Sequence, residues 1–336
     1  MKSIASWVVV LLVAHGATAQ VSVEQSDQKI NISTPRLQAA IKKKGYVTGI
    51  AAGSFVDRQT GFHDAGFGLD IVDWIMEPGS DHAYRDKLPK EMVYDYGNAY
   101  HGQTPKRSVE GPQICTQAKE LSPKVVQGKD FTAVQTQWNY RTAAPGKKAG
   151  STWNQTIIFP HDTRYFISSD RITSVNDVEA PFLRLDMPGH IKHKGADTFS
   201  EVYLSYVGEI PAAEFSKNFA PDEKFNFRRD RDTKPQRMIR AYHLRDPKTG
   251  KDGPWLAGMT LAPDVVTEAW CHERGYVCMI EEFGPPVGKG IKAGDSFSAA
   301  FIVGYFDSID EMEKVYDQYK GATGLQVTDT GWKLTR

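Results

Sequence analysis

Two stretches decide the fold class of this chain: FTAVQTQWNY at residues 131–140 and STWNQTIIF at residues 151–159. Both are rich in β-branched and aromatic residues, which are enriched in strands. The segment between them, 143–150, is rich in Gly, Pro and Lys, and a composition of this kind favours a turn. A second turn at Pro160–Thr163 leads into the run Arg164–Ser169. The sequence therefore predicts a three-stranded antiparallel meander.

Strand patterns continue on both sides of this meander. Short runs bounded by glycine, such as Leu69–Met76, precede it, and Phe199–Val207 follows it with the alternation of a half-buried strand. The capping box Ser308–Glu311, with apolar residues at helical spacing after it, predicts one C-terminal helix. Many short strands with few helices predict an all-β class, an antiparallel β-sandwich or a related architecture.

The N-terminal 45 residues differ in composition from the rest of the chain. Residues 1–19 contain one Lys, an apolar run and small residues at Ala17 and Ala19, which predicts a secretory signal peptide and a secreted or periplasmic protein. Residues 20–45 are predicted to form an N-terminal arm. A helix over residues 35–44 is an alternative, with Thr34 as its N-cap and Pro35 at its first position. Residues 46–336 are predicted to form a single β-sandwich domain.

Charge and motifs exclude several classes of function. The 41 Lys and Arg residues are balanced by 41 Asp and Glu residues, whereas a nucleic-acid-binding protein is expected to have a basic excess. After the signal peptide, no stretch of the sequence approaches the roughly 20 consecutive apolar residues that a membrane span requires. The sequence also has no Gly-rich phosphate loop after a strand and no Gly-x-Ser-x-Gly elbow. Nucleotide-binding and serine-hydrolase functions are therefore not indicated.

The stretch VVTEAWCHERGYVCMIEEF, residues 265–283, is predicted to be a β-hairpin with chemically capable side chains on one face. Successive side chains of a strand point to opposite faces. Glu268, Trp270 and His272 would therefore form one row, which combines a carboxylate, an aromatic ring and an imidazole.

The same hairpin contains two of the three cysteines. If Arg274–Gly275 is a two-residue turn, Cys271 lies opposite Cys278, at a separation that a disulfide can span. A four-residue loop would change this pairing. An exported protein meets oxidising conditions, so the sequence predicts a Cys271–Cys278 disulfide and leaves Cys115 as a buried thiol.

Three features resemble a known family. They are GFGLDIV at residues 66–72, the long meander that continues to Asp186, and GDSFSAAFIVGYFDSIDEM at residues 294–312. Together these features resemble the galactose-mutarotase-like β-supersandwich. This fold is a pair of large antiparallel sheets found in sugar epimerases and in domains of glycoside hydrolases and polysaccharide lyases. The resemblance implies a concave sheet face on which a sugar lies.

The resemblance also implies roles for individual residues. Trp270 would offer a stacking surface, and Glu268 and His272 would share proton transfer. An arginine would bind a uronate carboxylate, because the guanidinium group pairs with carboxylates through two hydrogen bonds. The candidates for this role are Arg184, Arg240 and the group Arg228, Arg229 and Arg231. The polar loop at residues 81–112 adds His82, Tyr84 and His101 as substrate-binding candidates.

The leading functional hypothesis is a polysaccharide lyase that cleaves uronate-containing glycans by β-elimination. A base removes the proton next to the carboxyl group, a cation offsets the developing charge, and an acid assists the leaving oxygen. The candidate bases are His190, His193 and His272, and the candidate acids are Tyr203 and Tyr84.

Three alternatives remain open on the same fold: a glycoside hydrolase, a sugar epimerase and a glycan-binding protein without catalytic activity. Hydrolysis would need two carboxylates at a set separation, for which the candidates are Glu268, Glu281, Glu282 and Asp186. The expected partner is a polysaccharide or oligosaccharide. No cofactor is predicted. A divalent metal ion is an alternative, because His190 and His193 lie close together in the sequence and histidine is a common metal ligand.

Overall fold

Two antiparallel sheets, of twelve and nine strands, make up most of the described chain. The computed structural model of the protein describes residues 21–45, 49–64, 66–79, 106–111, 113–114, 118, 120–217, 225–273, 276–286 and 289–336. The predicted all-β class with antiparallel sheets is confirmed. In the described part, none of the helices combines the length and the apolar character that crossing a bilayer requires.

Strands are numbered in chain order. The larger sheet, called the large sheet below, contains β1 (Ser22–Gln25), β2 (Lys29–Ser33), β3 (Leu37–Lys42), β4 (Ile50–Ala51), β5 (Val56–Asp57), β6 (Gly66–Pro78), β7 (Lys106–Gly111), β10 (Thr142–Ala143), β13 (Phe182–Lys192), β16 (Phe227–Arg228), β19 (Val266–Glu273) and β20 (Tyr276–Phe283). Its main path runs β1-β2-β3-β4-β6-β13-β20-β19-β16, with β7 beside β6.

The other sheet, called the small sheet, contains β8 (Lys124–Gln127), β9 (Phe131–Asn139), β11 (Thr152–Pro160), β12 (Tyr165–Thr173), β14 (Phe199–Leu204), β15 (Gly208–Pro211), β17 (Met238–Arg245), β18 (Asp252–Thr260) and β21 (Ser296–Phe306). Its order is β15-β14-β17-β18-β21-β12-β11-β9-β8. The predicted meander is its β9-β11-β12 portion, in which Trp153 lies opposite Trp138 on one side and Ile172 on the other.

The remaining elements are short. A hairpin of β22 (Gly324–Thr328) and β23 (Gly331–Thr335) ends the chain, and the helices are α1 (Ala212–Lys217), α2 (Ile309–Tyr319) and a 3₁₀ turn at Pro263–Val265. The predicted C-terminal helix is α2. Its Ser308 accepts a hydrogen bond from the Glu311 backbone N–H at 3.1 Å, and its Met312 and Tyr316 are buried against the small sheet.

We expect Ser308→Ala to lower the free energy of unfolding by about 1 kcal/mol, because alanine leaves the Glu311 N–H without its acceptor. Urea unfolding followed by circular dichroism measures this loss. Gln318→Ala is the matched control, since Gln318 is an exposed residue of the same helix, and a change within about 0.5 kcal/mol is expected there. Equal losses in the two variants would contradict a capping role.

The predicted N-terminal arm is part of the large sheet in the structure. Strand β3 occupies Leu37–Lys42, where a helix was the alternative prediction. Its Ala39 pairs with Ile32 of β2. Thr34 caps a tight turn instead of a helix, because its side chain accepts a hydrogen bond from the Leu37 N–H at 2.9 Å. Tertiary pairing therefore outweighs the local helix signals.

The core lies between the two sheets. Leu183, Leu185 and Met187 of β13 point into it, as do Val277, Met279 and Phe283 of β20. Phe283, for example, packs edge-on against Phe301 of the small sheet, with 5.6 Å between the ring centroids. The alternate residues of these strands therefore face away from the small sheet. This side of the large sheet is called the outer face.

An ion pair between the two sheets lies inside the core. Arg240 of β17 contacts Glu281 of β20 at 3.2 Å, and both side chains are fully buried. Arg240 also donates hydrogen bonds to the carbonyls of Ile280 at 2.7 Å and Met187 at 2.8 Å. Thr260 of β18 donates a hydrogen bond to Glu281. The pair thus links the centres of the two sheets.

The hairpin β19–β20 is confirmed, but the predicted Cys271–Cys278 disulfide is wrong. Cys271 pairs with Met279, and Cys278 pairs with His272, one residue away from the predicted register. A shift of one residue moves a side chain to the opposite face. Cys271 therefore lies in the core between the sheets, whereas Cys278 packs with Trp270 on the outer face. Both cysteines are buried, and no disulfide joins them.

Candidate functional site

A row of charged residues crosses four neighbouring strands on the outer face. Arg184 of β13 lies opposite Glu282 of β20, Glu282 lies opposite Glu268 of β19, and Glu268 lies opposite Arg228 of β16. The two central carboxylates are thus direct cross-strand neighbours, an arrangement that is destabilising unless a cation offsets it.

Lys106, the first residue of β7, supplies that cation. Its Nζ lies 2.7 Å from Glu268 Oε2 and 2.9 Å from Glu282 Oε1. The Nζ also lies over the Trp270 ring, 4.1 Å from its centroid, in a cation–π contact. The three side chains of the ion pairs are 0%, 3% and 2% exposed. These residues, Lys106, Glu268 and Glu282, are called the triad below.

Burial changes the pKa of one member of the triad, Glu282. It raises the pKa of Glu282 to about 7, against the opposing effect of Lys106 and with a further upward contribution from Glu268. A carboxyl group with a pKa near 7 exchanges its proton readily at neutral pH, which is the property that general acid–base catalysis requires. The triad is therefore equipped to give and to accept a proton.

A second and a third row lie beside the first. Asp186 and Trp270 are both opposite Ile280, and His190 and His272 are both opposite Cys278. Burial raises the pKa of Asp186 to about 6 and lowers the pKa of His190 to about 4. The His190 Nε2 lies 3.4 Å from Asp186 Oδ2, and with this pKa the imidazole is neutral at pH 7. Strand pairing places His272 in this row, but its side chain lies outside the described residues.

The triad forms part of the wall of a cavity of about 260 Å³, called the triad cavity below. Other parts of the wall are apolar and include Pro181, Phe182 and Pro285. Ligand pockets typically combine such apolar surface with a few polar groups that fix orientation. This combination of buried acid–base groups and apolar wall makes the triad cavity the candidate site.

Several predicted residues lie at or beside this site. Glu268 belongs to the triad. Arg184 is buried on the outer face, 3.5 Å from Asp73 Oδ2, with its guanidinium 5.3 Å from the centroid of Trp270. Trp270 is fully buried, so cations, and not solvent, cover its ring. It supports Lys106 in this structure and does not offer the open stacking surface that the sequence predicted.

Other predicted residues lie elsewhere in the structure. Arg240 is in the core, where it forms an ion pair with Glu281. Tyr203 is on the small sheet and donates a hydrogen bond to Glu313 of α2 at 3.0 Å. The His193 Nδ1 accepts a hydrogen bond from the Ala196 N–H at 2.9 Å. The predicted substrate-binding residues His82, Tyr84 and His101 lie outside the described residues, as does Cys115.

Lys106 was not among the residues predicted from sequence. It opens an ordinary strand, KRSVEG, and its carboxylate partners lie more than 160 residues further along the chain. Only the pairing of β6, β13, β20 and β19 brings them together.

The described residues contain no group of three or more His, Cys, Asp or Glu side chains that is placed to hold a metal ion.

No protein-family model and no curated protein matches this sequence. Among solved structures, a putative aldose 1-epimerase from Klebsiella pneumoniae is similar at 8% identity and a TM-score of 0.43, over 89% of this chain and 86% of that chain. A galactose mutarotase-like protein from Lactobacillus casei is similar at 10% identity and a TM-score of 0.43, over 82% and 99%.

A galactose 1-epimerase from Lactobacillus acidophilus is similar at 7% identity and a TM-score of 0.42, over 86% of this chain and 99% of that chain. These neighbours are of the kind that the sequence resemblance names. At such identities and TM-scores, the likeness establishes neither a family nor an activity for this chain. The fold and the site by themselves define an all-β sandwich with a buried acid–base group at a cavity on one sheet.

Proposed function

We propose that this protein binds a sugar in the triad cavity and catalyses proton transfer at its anomeric centre, as a sugar 1-epimerase. The observation that supports this proposal is the triad itself: two adjacent buried carboxylates, a lysine between them, and a pKa of about 7 for Glu282. Residues 1–19 have the features of a signal peptide, so we also propose that the protein acts outside the cytoplasm.

In the proposed reaction, the two carboxyl groups have complementary roles. Protonated Glu282 donates its proton to the ring oxygen, and Glu268 takes the proton of the anomeric hydroxyl as the base. The bond between the anomeric carbon and the ring oxygen breaks, and the anomeric carbon becomes an aldehyde. Rotation of this aldehyde and the reverse proton transfers close the ring to the other anomer. Atoms and charge balance without a further reactant.

The size of the cavity favours a small substrate. Ligand pockets commonly measure about 300–1,000 Å³, and the triad cavity, at about 260 Å³, is slightly smaller than this range. It suits a single sugar ring better than several residues of a polymer. For this reason an epimerase is preferred to an enzyme that binds along a polysaccharide chain.

A polysaccharide lyase that removes terminal uronates is the second candidate. One observation favours it: Arg229 is a cation in the wall of the same cavity and could face a uronate carboxylate. Arg229 is one of the five arginines that the sequence predicted for this role. Two others, Arg184 and Arg240, are already close to Asp73 and Glu281. β-Elimination would also require a carboxylate of the triad to remove a proton from carbon.

Two measurements on the purified protein test these candidates. Polarimetry of freshly dissolved α-anomers of aldoses and of their uronates should show faster mutarotation than in buffer alone. Incubation with acidic polysaccharides should give no unsaturated product absorbing in the ultraviolet. The opposite pair of results would replace the epimerase by the lyase, and no effect on any of these sugars would overturn both.

We expect kcat/KM for mutarotation to fall as the pH rises through about 7, because Glu282 must be protonated to act as the acid. The pH profile of Glu282→Gln should lack this transition. Asp186→Asn is the control, since the Asp186 pKa is also raised, to about 6, and this residue lies in a neighbouring row. If Asp186→Asn instead removes the transition near pH 7, the assignment to Glu282 is refuted.

A further inference from the structure

Arg229 occupies an unusual position in the wall of the triad cavity. It follows β16 directly, and its backbone N–H donates a hydrogen bond to the Thr267 carbonyl at 3.1 Å. Its guanidinium donates hydrogen bonds to two backbone carbonyls, those of Asp264 and Pro285. These contacts fix the half-buried guanidinium in the cavity wall and leave its charge unneutralised.

The charge of Arg229 has no ion-pair partner in the part of the chain that the structure describes. The carboxylate of Asp264, which exerts an electrostatic influence on Arg229, is bonded to Lys234 at 2.8 Å. Burial lowers the pKa of Arg229, with Asp264 only partly opposing this effect. A partly desolvated cation without a counter-ion is unfavourable in the empty protein and favours the binding of an anion.

The neighbouring cations differ from Arg229 in this respect. Arg228 pairs with Asp230 at 2.6 Å, Arg231 pairs with Asp232 at 2.7 Å, and Lys106 contacts both carboxylates of the triad. Among the basic residues in the cavity wall, Lys289 is exposed and adds positive charge. The wall also contains Glu179, an exposed carboxylate that would repel an anion.

We propose that the substrate of the triad cavity is a sugar with an anionic substituent, a carboxylate or a phosphate, and that Arg229 recognises this substituent. The proposal rests on the proposed sugar-binding function of the cavity. A guanidinium group has five N–H donors, and the two carbonyls use only part of them. The remaining donors can form charge-assisted hydrogen bonds with the anion, while the triad acts on the anomeric centre.

Calorimetric titration tests this proposal directly. The ligands are galacturonate and glucuronate, galactose 6-phosphate and glucose 6-phosphate, and neutral galactose and glucose. We expect at least one anionic sugar to bind the wild-type protein about tenfold or more tightly than its neutral counterpart, the effect of a hydrogen bond to a charged group. The uronate and phosphate ligands distinguish the two sources of the negative charge.

Variants assign the preference to Arg229. Arg229→Gln should abolish the difference between charged and neutral sugars, and Arg229→Lys should retain part of it. Arg245→Gln, the control on the small sheet outside the cavity wall, should leave the difference unchanged. Glu179→Gln should strengthen binding of the anion about two- to threefold by removing a repulsion. Arg229→Lys keeps the charge, so it remains informative if Arg229→Gln does not fold.

The outcomes separate this proposal from the proposed reaction. Equal affinity of the wild-type protein for charged and neutral sugars, or an unchanged preference in Arg229→Gln, overturns the role of Arg229. A preference that depends on Arg229, without any mutarotation, supports the recognition of an anionic sugar and overturns the epimerase. The absence of binding by all six sugars overturns both.

Discussion

Glu282→Gln is expected to lower kcat/KM for mutarotation about 10²- to 10⁴-fold, the usual contribution of a positioned general acid or base. Glutamine has nearly the same shape as glutamate, and its amide oxygen can still accept a hydrogen bond from Lys106, which lies 2.9 Å from Glu282 Oε1. It cannot donate a proton to a ring oxygen. The loss should therefore affect the reaction and not the fold, and steady-state polarimetry measures it.

Two comparisons make this result specific. Glu201→Gln applies the same chemical change on the small sheet, where Glu201 is 40% exposed and faces His243, and should leave kcat/KM within about twofold. Thermal unfolding should show that both variants are folded. A decrease of less than about tenfold for Glu282→Gln in a folded protein would show that Glu282 is not the acid.

The second large effect concerns stability. Arg240→Met should lower the free energy of unfolding by about 3–5 kcal/mol, because it leaves the buried carboxylate of Glu281 without its cation. The pair is fully buried, at 3.2 Å, and Arg240 also holds two backbone carbonyls of the opposite sheet. Urea unfolding of both proteins at pH 7 measures the difference.

The double variant Arg240→Met/Glu281→Met is the control, because it removes both charges. It should recover a large part of the loss, since replacing both partners of a buried ion pair by apolar residues is often close to neutral. A double variant as unstable as Arg240→Met alone would contradict this account.

The effect of Arg240→Met should also depend on pH. Burial raises the pKa of Glu281 in the folded protein, an effect that Arg240 and Thr260 oppose. Without Arg240 that pKa rises further above its value in the unfolded chain, so the folded state binds more protons. The stability of the variant should then fall as the pH rises above the unfolded value of Glu281, and the variant should be closest to the wild-type protein in acid.

The strands of the small sheet could be predicted from sequence because each strand is a local pattern. The runs at 131–140 and 151–159 contain β-branched and aromatic residues between clear turns, and they pair as predicted. The capping box of α2 is equally local. In contrast, the strand at Leu37–Lys42 depends on β2 for its pairing, and its own residues are compatible with a helix.

The site was predictable only in part. Glu268, Glu282 and Asp186 were recognised as candidate carboxylates, and the alternation of β19 gave the correct face for Glu268 and Trp270. The exact register depended on the length of one loop, which a weak Arg-Gly signal does not fix. The role of Lys106 was not predictable, because a contact across more than 160 residues leaves no local pattern in the sequence. The raised pKa of Glu282 was not predictable either, because it depends on burial in the folded protein.

The separation of Cys271 and Cys278 onto opposite faces has a practical meaning for the hairpin. A bond between them would require one strand to turn over, which the surrounding sheet prevents. The β19–β20 segment, which supplies both carboxylates of the triad, therefore assembles through packing and strand pairing alone. Its geometry therefore does not depend on a bond between Cys271 and Cys278.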